Sequence, residues 1–480
     1  VDGIGYTKTT HPNRNNNYVI RASMNNHAWY GLVSNFKKEI NENINLNFGL
    51  DLRTYNGDHY RQVSNFLGLD GWYETRRLRD NTHFLNNSLP LGTNTVNQSY
   101  NINPWNAFFN TASDNQKIDY DYSETITYGG IFGQLEYSKN NFSTFFQGAI
   151  SNQAHQRFDY YDYQEDFQDS KKVSNIGYNV KGGAAYNLSE KHTFFANAGY
   201  YSRQPYHDNI YLNFTNQVNP LSQNEKVLGL EAGYTFKSKM FTASFNAYRT
   251  TWNDRVVTTS GVQSTNGTIG TTPVLAGDVI FTENQGVKQV HSGLELDFIF
   301  KPTSNVDVKG FASVGNWVYE GNAVSTKRDE NLNPLLVSKT VIDGGKVGDA
   351  AQTTWGLGVR YEFLPRFSVD ADWRNYSKLY ANAVTDENIQ LPNYDLVDTG
   401  ISYKMLIGKD KKNSVNIRFN MNNVFDEVYL SEITATTATG NVNGLYPTTS
   451  TSTTYKGIDV RNNAYFGIGR TWNFTVRYNF

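Results

Sequence analysis

The feature that most constrains this chain is an alternation of apolar and polar residues with a period of two, repeated in segment after segment. In the last ten residues Trp472, Phe474, Val476, Tyr478 and Phe480 fall on one side, and Asn473, Thr475, Arg477 and Asn479 on the other. Only an extended strand sends successive side chains to opposite faces. Val415, Ile417, Phe419 and Met421 alternate in the same way with Asn416, Arg418, Asn420 and Asn422. So do Trp355, Leu357, Val359, Tyr361 and Phe363 with Gly356, Gly358, Arg360 and Glu362. The pattern recurs around Leu294–Phe300, Leu228–Phe236 and Ile44–Leu52. Taken alone, it fits both a large soluble β protein and a transmembrane barrel, because each has one wet face.

The connections separate the two. Short turns fall near 37–43, 138–141, 188–192, 237–240, 301–305, 364–366 and 408–414. Long polar connections fall near 54–124, 155–170, 202–225, 250–285, 318–350, 375–393 and 424–464. Short and long alternate without exception, as in an up-and-down outer-membrane barrel with tight turns at one end and long loops at the other. Neither a propeller nor a Greek-key sandwich keeps all its long loops at one end. Composition agrees. Aromatic residues make up 15% of a chain whose mean hydropathy is only −0.58, the average expected when lipid-facing and wet positions cancel. Tyr186, Tyr200, Tyr234, Phe363, Trp373 and Tyr403 fall at strand ends, where interfacial girdles form. The absence of cysteine excludes disulfides and thiolate chemistry. The formal net charge of −2 argues against nucleic acid as a partner. The expected fold is therefore all-β: a transmembrane antiparallel up-and-down barrel in the cell outer membrane, with the lipid bilayer as its solvent.

Fifteen strands are expected, near 27–37, 44–55, 125–137, 142–154, 173–188, 193–204, 226–237, 241–252, 290–301, 306–318, 353–363, 367–376, 396–407, 414–423 and 471–480. A single-chain bacterial barrel uses an even number. Either a strand is hidden in residues 1–26, where Tyr18, Ile20, Ala22 and Met24 alternate weakly, or residues 1–480 are a portion of a longer barrel; the arithmetic favours the second. The first residues, VDGIGYTKTTHPNRNNN, have no apolar signal-peptide region.

Asn422–Leu430, NNVFDEVYL, resembles the N-L-F-D-x-x-Y segment that ends the penultimate strand of TonB-dependent outer-membrane receptors. Gly467–Phe480, GIGRTWNFTVRYNF, resembles their final strand, and residues 26–63 resemble a mid-barrel hairpin of the same receptors. The resemblance implies a 22-stranded barrel around a plug, of which this chain is the C-terminal portion. It further implies a Gram-negative outer-membrane transporter that binds a scarce nutrient at its extracellular loops and imports it. Its partners would be the TonB complex, reached through a missing N-terminal region, its own plug domain, and a small-molecule, glycan or peptide substrate. A surface lipoprotein is a further candidate partner. Phe480 would be the barrel-assembly signal. A passive porin and a surface-binding structural barrel are the alternatives.

Candidate ligand residues lie in the long loops. Loop 54–124 carries Trp72, Tyr73, Glu74, Arg76, Arg77 and Arg79, then Trp105, Phe108 and Phe109; a second cluster holds Tyr160, Tyr161 and Tyr163. Aromatic faces stack on sugars or apolar groups, and arginine forks bind carboxylates or phosphates. The plainer reading, a loop packed on itself over the barrel mouth, is slightly favoured. Residues 158–169 hold five carboxylates that could gather Ca²⁺, although they lack an EF-hand's glycine and spacing, and a solvated acidic loop is expected instead. The scattered histidines show no metal-binding spacing, and no nucleophile-elbow or phosphate-loop motif occurs. No enzyme activity, cofactor or metal is expected. Asp51, Arg53, Glu231, Arg360, Glu362, Asp370, Asp372, Arg374, Arg418 and Arg477 are expected to face the lumen.

Overall fold

The computed structural model describes residues 4–6, 18–80, 89–101, 103, 105, 110–212, 215–263, 265–276, 278–329, 332–386, 388–434, 454–456, 458–459 and 462–480. Seventeen strands form one antiparallel ladder, two of them a short outer hairpin, leaving fifteen main strands. These are β1 (Ile20–Asn41), β2 (Ile44–Asn65), β3 (Lys117–Lys139), β4 (Phe142–Asp159) and β5 (Val173–Ser189). Next come β6 (His192–Arg203), β7 (Glu225–Lys237), β8 (Phe241–Val262), β9 (Val279–Thr303) and β10 (Val306–Tyr319). The last are β11 (Thr353–Leu364), β12 (Phe367–Ser377), β13 (Tyr394–Ile407), β14 (Asn413–Asn422) and β15 (Thr471–Asn479).

Each main strand pairs with its sequence neighbours. The outer hairpin, Ala323–Arg328 with Pro334–Thr340, pairs with the far part of β9. All fifteen expected strands are present, but the early ones are longer than alternation suggested. β2 runs to Asn65 rather than 55, and β3 starts at Lys117 rather than 125. These extensions stand beyond a membrane-spanning length of roughly 9–11 residues. Loops cover them, so the oil-against-water contrast that writes the period into the sequence is lost. Tyr18–Met24 is no separate strand either, because Ile20–Met24 begins β1. Among the described residues the ladder has two free edges: β1 pairs only with β2, and β15 only with β14.

One face is apolar and exposed. Leu52, Ile131, Phe146, Val180, Leu230, Leu294, Leu357, Val359 and Phe474 all lie on it, open to the surroundings. Trp355 meets Trp373 edge-to-face at 4.4 Å toward the long-loop end, and Phe367 stacks on Tyr403 at 4.1 Å beside the short turns. The belt between them holds Leu357, Val359, Val369 and Ile401.

The other face is charged and tied across strands. Arg418 binds Asp370 through two bonds of 2.8 and 2.7 Å, and Lys309 meets Asp372 at 2.9 Å. Arg374 bonds to Asp398, and Arg53 meets Asp51 at 2.5 Å. Arg360 meets Asp307 at 3.5 Å and Glu362 at 3.9 Å. Asn246 donates to Glu231 at 2.7 Å. Arg477 shares this face on the edge strand β15, opposite Asn416.

Large rings on the same face lie flat over glycines of the next strand. A Cβ at Gly233 would come within 2.4 Å of Phe195 Cζ and 2.8 Å of the Phe245 carbonyl oxygen, and one at Gly49 within 2.5 Å of Phe132 Cζ. Gly233→Ala is therefore expected to destabilise the folded sheet by about 1–3 kcal/mol, the usual cost of overpacking. The check is the temperature at which the detergent-solubilised protein loses its folded gel mobility; an unchanged temperature contradicts the packing described.

Candidate functional site

The described residues of loops 66–116 and 160–172 are tied to one another and to the sheet. In loop 66–116 the strand Gly71–Arg77 pairs with Leu91–Val96 on one side and Ile4–Tyr6 on the other. Strand alternation turns Trp72, Glu74 and Arg76 to one face and Tyr73, Thr75 and Arg77 to the other. Trp72 packs against a small core of Val63, Val96 and Ile118, which fixes the loop to the tops of β2 and β3. Glu74 is 1% exposed. Its carboxyl accepts from Trp72 Nε1 at 2.9 Å, from the Asp119 amide at 3.2 Å and from the Tyr161 hydroxyl. Burial pushes the Glu74 carboxyl above its ordinary pKa.

Arg76 joins this loop to the next. Its Nε donates to the Tyr161 carbonyl at 2.6 Å, and its guanidinium lies 3.6 Å from the centre of the Tyr161 ring. Its Nη1 is buried without a hydrogen-bond partner. Arg79 pairs with Asp162 at 3.4 Å and lies 5.8 Å over the Tyr163 ring. Backbone bonds from the Arg79 amide to the Asp162 carbonyl and from the Gln164 amide to the Arg79 carbonyl complete the zipper.

Beneath these loops lies a cavity of about 630 Å³. Asp58, Tyr60, Arg76, Asp121, Tyr122 and Tyr161 line it, with Lys117 and Tyr160 at its wall. The volume is in the range of small-molecule sites. Lys117 Nζ is already held by Asp121 at 2.7 Å and Asp114 at 3.3 Å, and lies 4.9 Å over the Tyr60 ring. Arg76 thus keeps an unused donor, and the tyrosines offer ring faces.

Of the residues singled out in the sequence, Arg76, Tyr160 and Tyr161 come together at the cavity. Trp72 is core; Arg77 bonds the Leu89 carbonyl on the far face beside Tyr73; Arg79 and buried Tyr163 hold the zipper. Trp105 stands 93% exposed, away from the cluster. Phe108 and Phe109 lie outside the described residues. The described residues of 66–116 pack on one another and on 160–164, the arrangement the plainer reading expects.

Sequence reasoning missed Asp58, Tyr60, Lys117, Asp121 and Tyr122 because it ended β2 and began β3 too near the membrane. The run Asp119-Tyr120-Asp121-Tyr122 alternates in plain view and was the available signal. The acidic run is not uniformly solvated either: Asp159 is 3% exposed, pairs with Arg157 at 2.9 Å and accepts from the amides of Tyr161 and Asp162. Among the described residues no three His, Asp or Glu side chains are arranged to hold a metal ion. No described helix is long and apolar enough to cross a membrane, which says nothing of strands.

Comparison with known proteins gives these features a family. No curated protein matches the sequence. Among solved structures the chain resembles the copper transporter OprC (12% identity, TM-score 0.55, 95% of this chain and 57% of that one). It also resembles FyuA, the ferric yersiniabactin uptake receptor of Yersinia pestis (11%, 0.54, 96% and 56%). A third is BauA, the ferric preacinetobactin receptor of Acinetobacter baumannii (13%, 0.53, 96% and 55%). The chain spans little more than half the length of these receptors, and at such identities the likeness shows the fold. The family model "TonB dependent receptor-like, beta-barrel" matches residues 2–424, which include the hairpin at 26–63 but end before the final strand. Proteins of this family are outer-membrane transporters rather than enzymes, and the chain belongs to it: its strands are those of a TonB-dependent receptor β-barrel.

Proposed function

We propose that this chain is the C-terminal portion of an outer-membrane active transporter that captures a scarce nutrient at its long loops and passes it to the periplasm. The observation that carries this is the cavity roofed by loops 66–116 and 160–172, standing above a sheet with one lipid-ready face and one charged face. The exposed apolar face meets hydrocarbon. The charged face, with Asp51, Arg53, Glu231, Arg360, Glu362, Asp370, Asp372, Arg374, Arg418 and Arg477, lines the lumen. There the paired charges present a wet wall to the plug or to the passing solute. The two free edges support the portion reading: an unpaired N–H or C=O in lipid costs several kcal/mol, so further strands must close the sheet. The plug and the TonB contact belong with those further strands. Phe480, at the end of β15, is the barrel-assembly signal in this reading.

The substrate class is a small molecule, glycan or peptide. The solved relatives are named for ferric siderophores and copper, which makes chelated metal one of the cargoes to try first. An open porin is less well supported, because loop 204–224 reaches onto the charged face through His207 and Asn216 and narrows the mouth.

Growth of a deletion strain on a panel of limiting nutrients identifies the cargo. Complementation with the Arg76→Ala/Tyr160→Ala double variant then tests the site. Removing a cation and an aromatic anchor from a pocket costs about 2 kcal/mol or more, so uptake should need roughly thirtyfold more nutrient for half-maximal growth. Unchanged uptake with normal surface levels rejects the cavity. A large steady conductance of the full-length receptor in planar bilayers rejects active transport in favour of a porin.

A further inference from the structure

Loop 204–224, between β6 and β7, folds back across the charged face and seats one histidine in a cluster of titratable groups. His207 opens the short helix α1 (His207–Ile210) and is 9% exposed. Its Nδ1 lies 3.3 Å from Nδ1 of His155 on β4, a side chain 1% exposed. Its Nε2 lies 3.1 Å from Glu124 on β3, whose other oxygen is 3.5 Å from His59 Nε2 on β2. Arg157, from β4, lies 4.2 Å over the Tyr122 ring, and Tyr122 stacks on His59. Asp208 and Tyr211 flank His207 on its own segment; the Tyr211 hydroxyl donates to the His155 carbonyl at 2.8 Å.

Two imidazole nitrogens at hydrogen-bond distance can share one proton. If both rings are protonated on both nitrogens, two cations face each other with a single carboxylate, Glu124, to divide between His207 and His59. The contact therefore holds while at least one of the pair is neutral.

The same loop holds the cavity wall. The Asn216 side chain donates to the carbonyls of Phe167 and Gln168 at 3.0 and 2.7 Å and accepts from Arg157 at 2.9 Å. The Asn216 amide donates to the Tyr163 hydroxyl at 2.9 Å. Gln168 itself lines the cavity.

We propose that loop 204–224 is a proton-operated latch across the barrel mouth, closed at neutral pH by the His155–His207–Glu124 contact and released on acidification. Its effect on ligand binding rests on the cavity being the ligand site; its opening does not. His155 lies some thirteen residues beyond the short turn at 140–141, above a span of roughly 9–11 residues, so it stands outside the membrane. Burial, then the neighbouring His207, lowers the His155 pKa from 6.5 to about 4, and burial lowers that of His207. A base with a lowered pKa in the docked state stabilises docking fully above its free value and loses that contribution as pH falls toward the docked value. Between pH 7.5 and 5.0 the His155 term reduces the docking constant by up to about 30-fold, with His207 acting in the same direction.

The test is backbone hydrogen exchange of the full-length receptor in nanodiscs at pH 7.5 and 5.0, corrected for intrinsic rates. The amides of Tyr211, Leu212 and Asn219, bonded within the loop, should lose protection by tenfold or more, up to about 30-fold, at pH 5.0 while those of the spanning strands keep theirs. His207→Gln and, separately, His155→Gln keep hydrogen-bonding capacity without a charge; His155→Gln should remove most of the acid response, and His207→Gln, which leaves buried His155 in place, should remove part of it. Equal protection of the wild type at both pH values, or a full acid response in both variants, overturns the latch. Loss of the response in the variants with ligand affinity unmoved by pH upholds the latch and rejects its link to the cavity.

Discussion

Replacing Val359 by arginine is expected to cost the folded barrel about 2–4 kcal/mol, the penalty for a cation near the middle of the bilayer. Val359 sits on the apolar face of β11, paired with Val308 and Ala371, between the Trp355–Trp373 contact and the aromatic residues beside the short turns. A strand rises about 3.3 Å per residue and tilts by about 40°, which places Val359, five residues from Leu364, about 13 Å from that end. This is close to the middle of an apolar band of about 25 Å. The neighbouring Arg360 provides the control: one residue along the strand it meets Asp307 on the charged face, and Arg360→Val should cost much less. Unfolding by urea in lipid vesicles measures both. A Val359→Arg protein as stable as the parent, with Arg360→Val the damaged one, would reverse the two faces and remove the membrane reading.

The second large effect is expected at Glu74. Glu74→Leu strands three donors that now converge on one carboxyl: Trp72 Nε1, the Asp119 amide and the Tyr161 hydroxyl. Each buried donor left without an acceptor costs about 1–3 kcal/mol, so the loop layer should lose about 3–5 kcal/mol where water cannot reach all three. The barrel itself does not rest on this residue. The expected result is a receptor with parental thermal stability whose loop 66–116 becomes protease-sensitive and whose ligand affinity falls more than a hundredfold. Retained protease resistance and affinity would show that the loops stand without this carboxyl.

The strands were legible in the sequence because lipid imposes a rule that soluble folds relax. Trp472 to Phe480 and Trp355 to Phe363 each wrote one face against oil and one against water, and both became strands with that register. The extracellular architecture was much less legible. Tyr60 and Lys117 sit where both sides of the sheet are wet or covered, so no period marks them, and the short alternation at 119–122 is all that marks Asp121. Trp72, Glu74 and Arg76 do alternate. What separates core, buried acceptor and cavity wall among them is contact with Val63, Asp119 and Tyr161, residues 9 to 87 positions away in the chain. Trp105, a large aromatic in a loop that suggested a binding platform, stands in solvent and apart from the cavity. The histidines were dismissed for want of a local spacing. His59, His155 and His207 meet through three different segments, which no one-dimensional motif could register.

The unequal height of the sheet has a consequence for where recognition happens. β3 is 23 residues long, which at about 3.3 Å each and a tilt of about 40° gives a rise of nearly 60 Å, roughly twice the hydrocarbon thickness. Lys117 thus stands on a turret some 25 Å clear of the lipid tails, with Asp121 and Tyr122 about 15 Å clear of them. At physiological salt, electrostatic influence fades over about 8 Å. Cargo meeting this rim should therefore be weighed by the protein's own groups alone, and its capture should be indifferent to whether the surrounding leaflet is anionic or zwitterionic.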